Sequence, residues 1–202
     1  YGKSANGPHE LTDKHGIFKY GFIGILLKSF KPSVRKIIEK ELNAQLNILK
    51  SKINYISHID GHRHVHMIPT ISNLVKRVSK EFNIKEIRVM NESIVDSLLI
   101  GRKFNLDVIG GCVKFFLLNF FCYINSIKSD YHFFSTIYTG QINTNMLFRT
   151  MSSNKNYEIM IHPSKPELDS NIEFYDRNEK AYRLSFKRSK ELEACLNFQA
   201  KK

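Results

Sequence analysis

His58-Ile59-Asp60-Gly61-His62-Arg63-His64-Val65-His66-Met67-Ile68-Pro69 is the stretch on which the reading of the fold turns. It holds four of the chain's eight histidines within nine residues. All four share one parity with Asp60. On an extended strand that parity is one face, so the face carries only imidazoles and a carboxylate. Neutral imidazole is the commonest protein ligand for divalent metals, and a carboxylate suits the same cations. Alternate side chains on a strand start roughly 6–7 Å apart, against metal–nitrogen bonds of about 2.0–2.1 Å. Two neighbours can share one ion and five cannot, so the others must orient ligands, contact substrate or pack. A bland run of histidines beside a turn is the competing reading, and four of them with an aspartate weigh against it.

The lead-in Ile53-Asn54-Tyr55-Ile56 is apolar and β-prone, and Pro69 suits the first turn of a helix. The stretch therefore reads as the carboxyl end of a strand, a turn and a helix start, which is where α/β folds place their sites. Three-and-four spacing of Val34, Ile37, Ile38, Leu42, Leu46 and Leu49 predicts an amphipathic helix over 33–49. Ile71, Leu74, Val75 and Val78 predict another over 69–82. Short strands are expected at 85–90, 133–138 and 157–162. The most apolar segment, 108–124, reads as a buried or interface helix, shorter than a membrane span, and its Phe115, Phe116, Phe120 and Phe121 as a cleft wall or dimer contact. A helix over about 175–185 and a short one over 191–198 close the chain, and residues 1–20 read as loop with His9 and His15 solvated. Strands alternating with helices argue for an α/β fold with parallel strands.

The pattern His-x-Asp-x-His-x-His-x-His-Met-x-Pro resembles the signature of the YdjC-like carbohydrate deacetylases, the family of chito-oligosaccharide deacetylase and the hopanoid-associated deacetylase. Leu11-Thr12-Asp13 with Gly16 and Phe18, Arg88 with Glu92, Phe133 to Gly140, Glu158-Ile159-Met160-Ile161-His162-Pro163, and the stretch Tyr175 to Glu179 resemble further family segments. Ser164 stands where the family has glycine. The resemblance implies a single domain over residues 1–202 with a (β/α) barrel-like fold. It implies a hydrolase removing N-acetyl groups from amino sugars with a divalent ion, Mg2+ or Zn2+. It assigns His62 to the metal, His162 and Asp60 to catalysis, and Arg88, His64 and Glu92 to substrate, with His64 and His66 orienting or packing. The family opens with Asp-Asp-Phe-Gly and then Gly-x-His, and neither is found in register here; Leu11-Thr12-Asp13 sets that histidine before Tyr1. The expectation is a barrel incomplete at its amino terminus and a site lacking a catalytic carboxylate and metal ligands. Two alternatives stay open, a phosphoesterase-like metal hydrolase and a non-catalytic remnant.

Composition is that of a globular protein, with 42% hydrophobic and 25% charged residues over 202 positions. Cys112, Cys122 and Cys195 are odd in number and lack metal-ligand spacing, so they read as reduced thiols of a cytoplasmic protein. The net charge of +12 is spread along the chain with no basic tail or nucleic-acid motif. The start is polar and carries no apolar signal core. A carbohydrate substrate and a homodimer contact are expected, and neither nucleic acid nor membrane.

Overall fold

The computed structural model describes residues 2–169 and 177–199. Tyr175 and Asp176 lie outside the described residues, as do the side chains of 177–179, so the resemblance over Tyr175 to Glu179 has no structural counterpart here. The chain divides into two compact units, Tyr1–Val89 with Phe121–Ile127, and Met90–Phe120 with Lys128–Lys202.

In the first unit the amino-terminal residues form a tight loop. Isolated antiparallel bridges join Lys3 to Ile17 and Thr12 to Phe18. The Asp13 carboxylate accepts from the N–H groups of His15 and Ile17 at 2.8 and 2.9 Å. His15 is exposed as expected, but His9 is not solvated: its side chain is 13% exposed, and its Nδ1 accepts from Leu11 N–H. Helices α1 (Phe22–Lys28), α2 (Pro32–Lys50) and α3 (Pro69–Glu81) follow, with β1 (His58–Ile59) and β2 (Glu86–Ile87) paired in parallel around α3. Proline opens both α2 and α3, where its missing N–H costs nothing. α3 buries Ile71, Leu74, Val75 and Val78, the face its spacing predicts, and packs on α2, which buries Val34 and Leu46.

The strand at the histidine stretch is much shorter than the alternation predicts. It ends at Ile59, and His62–Met67 coils into a 3-10 helix. Arg63 and His64 are both left-handed, with φ of 54° and 61°. The four histidines therefore share no strand face, because the backbone reverses between them.

In the second unit α4 (Ile94–Gly101) and α5 (Leu106–Asn125, its last turn in the first unit) precede β3 (His132–Phe134), α6 (Thr144–Met151), β4 (Tyr157–Ile159), a 3-10 turn (Pro166–Asp169), α7 (Arg177–Arg183) and α8 (Phe186–Gln199). β3 and β4 pair in parallel, with Phe133 opposite Glu158. β3 stops short of the predicted 138 because Ser135 has φ of 109°, off the strand region. The core joins Phe134, Ile137 and Tyr138 to Ile100, Val108, Phe115, Met146 and Ala194. A Cβ on Gly101 would lie 2.0 Å from the Tyr138 ring, so only glycine admits that ring. α5 is longer than its sequence suggests: its 20 residues meet the length and hydropathy of a membrane span, a test a soluble core helix also passes. It is not a buried helix, since only 22% of that window is buried.

The architecture is mixed α/β and helix-rich. Among the described residues, parallel strand pairing is confined to these two two-stranded sheets and a bridge from Glu92 to Phe133.

Candidate functional site

The turn after β1 is held by His66. Gly61 N–H donates to its Nδ1 at 2.9 Å, and its Nε2 lies 3.0 Å from the Arg88 carbonyl oxygen. An amide can only donate and a carbonyl only accept, so Nε2 carries the proton. Burial pushes the His66 pKa below its ordinary 6.5, which keeps the ring neutral. Asp60 Oδ1 lies 3.6 Å from Nδ1, yet the tautomer is fixed by Gly61 and Arg88. The other carboxylate oxygen of Asp60 takes a hydrogen bond from the Arg88 guanidinium. Both nitrogens of His66 are thus occupied by backbone, which removes it from any ligand set as it stands. His64 is 4% exposed, its ring 6.4 Å from that of His66. His62 and Arg63 are exposed. Behind the turn, Asn125 Nδ2 donates to the Met67 carbonyl at 2.8 Å, and Lys76 Nζ donates to the Asn125 carbonyl.

Asp60, His62, Arg63 and His66 border a cavity of about 370 Å³ whose other walls are largely apolar, including Phe18, Phe22 and Ile71. Glu41 of α2 also lines it. That carboxylate is 5% exposed and receives Ser4 Oγ at 2.6 Å, Ala5 N–H at 2.9 Å and Gln45 Nε2 at 2.6 Å. Burial pushes its pKa up, but these donors outweigh it and hold it below the ordinary carboxylate value. The signal for Glu41 was present in the sequence: it stands seven residues after Val34, a charge in the buried phase of an amphipathic helix.

The remaining expected residues lie in the second unit. Glu92, after the carboxyl end of β2, is 4% exposed. Its oxygens accept from Ser97 Oγ at 2.6 Å and from Ser135 and Thr136 N–H at 3.3 and 2.7 Å. It ties the segment before α4 to the end of β3. His162 follows β4 with its side chain 31% exposed. Its N–H donates to Glu191 Oε2 at 2.7 Å, its carbonyl accepts from Arg188 Nε at 3.1 Å, and its ring meets Tyr182 edge to face at 5.7 Å. Glu191, with no side-chain exposure, also accepts from Ile142 N–H at 3.3 Å. Burial pushes its pKa up against those hydrogen bonds. Sequence reasoning missed Glu191, although it shares a helical face with Ala194 and Phe198.

Among the described residues no three His, Cys, Asp or Glu side chains are placed to hold one metal ion. The described donor set therefore does not by itself fit a metal centre.

Fold and sequence order together define an α/β protein in which, within each unit by itself, titratable residues follow short parallel strands: Asp60 follows β1 and Arg88 follows β2 in the first, and His162 follows β4 in the second. The family described as YdjC-like protein matches residues 3–202, and the chain belongs to that family. It is 34% identical over 74 residues to a carbohydrate deacetylase of Brevibacillus brevis, a match covering 37% of this chain and 28% of that relative. The match thus spans little more than a quarter of the relative's length.

Proposed function

We propose that this chain serves in hydrolysis of the N-acetyl group of an amino sugar or chito-oligosaccharide, as a carbohydrate deacetylase with a barrel-like (β/α) arrangement of its strands. The observation that carries the reading is the turn from Asp60 to His66, bonded into one neutral-imidazole geometry beside a cavity, in a chain of the YdjC-like family. Within it His62 is the proposed ligand for a divalent ion, Mg2+ or Zn2+, which would polarise the acetyl carbonyl and activate water. The described residues do not complete its ligand set, so no step is derived through it.

What the chain's own groups do can be stated. Asp60, which borders the cavity, and Arg88, which pairs with it, are the proposed contacts for a polar substrate, together with His64. His162, partly exposed and backed by Glu191, is the proposed acid for the departing amine. Glu92 shapes the loop after β2 from within, which supports substrate binding by positioning. The three cysteines are free thiols, which supports a reducing, cytoplasmic setting.

The test is acetate release from N-acetylated chito-oligosaccharides with and without added metal, beside phosphate release from phosphoesters. His62→Ala is expected to lower metal affinity, whereas His15→Ala leaves it unchanged. His162→Gln should cut turnover by about 10²–10⁴-fold with metal content unaltered. Phosphate release without acetate release would replace the reading by a phosphoesterase. Neither product would leave a non-catalytic member of the family.

A further inference from the structure

We infer that residues 2–19 are a strap over the cavity beside the histidine turn, latched by the Glu41 carboxylate, and that letting go of this latch opens the cavity to apolar molecules. Strap, latch and cavity all lie within the first unit.

The strap is bonded to itself. Ser4 N–H donates to the Gly16 carbonyl at 2.8 Å, Phe18 N–H to the Gly2 carbonyl at 3.1 Å and Lys19 N–H to the Leu11 carbonyl at 3.2 Å. His9 N–H donates to Thr12 Oγ1 at 2.8 Å, and the Asp13 carboxylate closes the turn beyond. Among the described residues, the hydrogen bonds from the strap to the rest of the unit all end on Glu41. They come from Ser4 Oγ at 2.6 Å, Ala5 N–H at 2.9 Å, and Asn6 N–H and Nδ2 at 3.3 and 3.4 Å. Gln45 Nε2, one turn along α2, holds the same carboxylate from its own helix at 2.6 Å. Lifting the strap therefore breaks no hydrogen bond within the helices or between β1 and β2. A further link, Glu10 to Lys28 at 3.5 Å, is a partly exposed ion pair and weak.

What the strap covers is apolar. Leu11, 2% exposed, and Phe18 line the cavity from the strap, and Phe22, Ile38 and Leu42 line it from α1 and α2. At about 370 Å³ the cavity is already of ligand size, and it widens when Leu11 and Phe18 withdraw.

The latch is ionised at neutral pH, because its donors hold Glu41 below the ordinary carboxylate value against burial. Among the groups around it, His9 Nε2 lies 4.0 Å from Oε2, and Lys3, Asp60, His62, Arg63 and His66 line the same cavity. A proton on Oε1 would face Ala5 N–H, and one on Oε2 would face Asn6 N–H. Either turns an acceptor into a donor set against a donor, so acid releases the strap.

Hydrogen exchange read residue by residue at neutral pH tests the latch. Glu41→Gln, nearly the same shape, should lower protection of the Ser4, Ala5, Asn6 and Phe18 amides at least about tenfold, the worth of one hydrogen bond to a charged acceptor. Amides of α3 should keep theirs. Ser4→Ala, which leaves α2 untouched, should act in the same direction to a smaller degree. The apolar dye N-phenylnaphthylamine reads the cavity. Its fluorescence should stay low with the parent chain and rise with Glu41→Gln, and adding Ile38→Trp, which fills the cavity from α2, should abolish the rise. Strap protection indifferent to both variants would overturn the inference by denying the latch. Protection lost from the strap and α3 together would overturn it by making Glu41 a support of the whole unit. A freed strap with no gain in dye binding, or a gain that survives Ile38→Trp, would overturn it by denying that the strap covers the cavity.

Discussion

His66 shows how one side chain can set the shape of a turn. It joins two backbone groups twenty-seven positions apart, Gly61 N–H and Arg88 C=O, and His66→Leu would orphan both. The expected cost is roughly 2–6 kcal/mol, at about 1–3 for each of the two groups left unpaired, read by urea unfolding. Gly61 is bound to the same arrangement, since a Cβ there would lie 3.0 Å from His66 N and Nδ1. Gly61→Ala should cost about 1–2 kcal/mol through that crowding, whereas Gly110→Ala, with nothing within 4 Å of the added carbon, should stabilise α5 by about 0.5–1 kcal/mol. Asp60→Asn separates chemistry from stability. The pair with Arg88 is partly exposed, so its loss should cost under about 1 kcal/mol. A fall in acetate release well beyond that in the same variant would mark Asp60 as a group that acts on substrate.

At the scale of elements, α2 and α3 were legible because an amphipathic stripe over thirteen or more residues is a long-range pattern that local noise does not erase. α1, α4 and α6, of seven or eight residues, are too short to show a period, although Ser93 and Asn143 cap α4 and α6 by accepting from Asp96 and Met146 N–H. The strand ends were illegible for another reason. Parity through His66 describes a strand correctly only if the backbone stays extended, and Arg63 and His64 leave that region to let His66 reach Gly61 and Arg88. That closure depends on Arg88, which no local pattern reveals. The identities of the candidate residues were legible from their motif; the tautomer of His66, the burial of Glu92 and the carboxylates Glu41 and Glu191 depend on packing. Ser93→Ala tests the caps: losing the acceptor for Asp96 N–H should cost about 1 kcal/mol, measured by chemical denaturation.

At the scale of the whole chain, the two units carry buried carboxylates of opposite pH behaviour. Glu41 titrates below its ordinary 4.5, so the stability it lends the first unit is present above that value and is lost as pH falls through the folded pKa. Glu191 titrates above 4.5, so its contribution to the second unit is present below that value and is lost as pH rises through the folded pKa. As pH falls from above 4.5 to below it, hydrogen exchange corrected for its intrinsic rate should show Ala5 and Asn6 amides losing protection while core amides of the second unit that do not donate to Glu191 gain it. Parallel changes at both sites would contradict the assignment.

The first unit is interrupted in sequence, resuming at Phe121 after Val89. On a ribosome that interruption is a delay. Roughly forty residues must be polymerised before Asn125 exists to meet the Met67 carbonyl, which takes about 2–8 s at about 5–20 residues per second. For those seconds the histidine turn has its local bond from Gly61 to His66 but lacks its backing. A nascent chain arrested soon after residue 89 should therefore expose the turn to protease, and one arrested well beyond residue 127 should protect it.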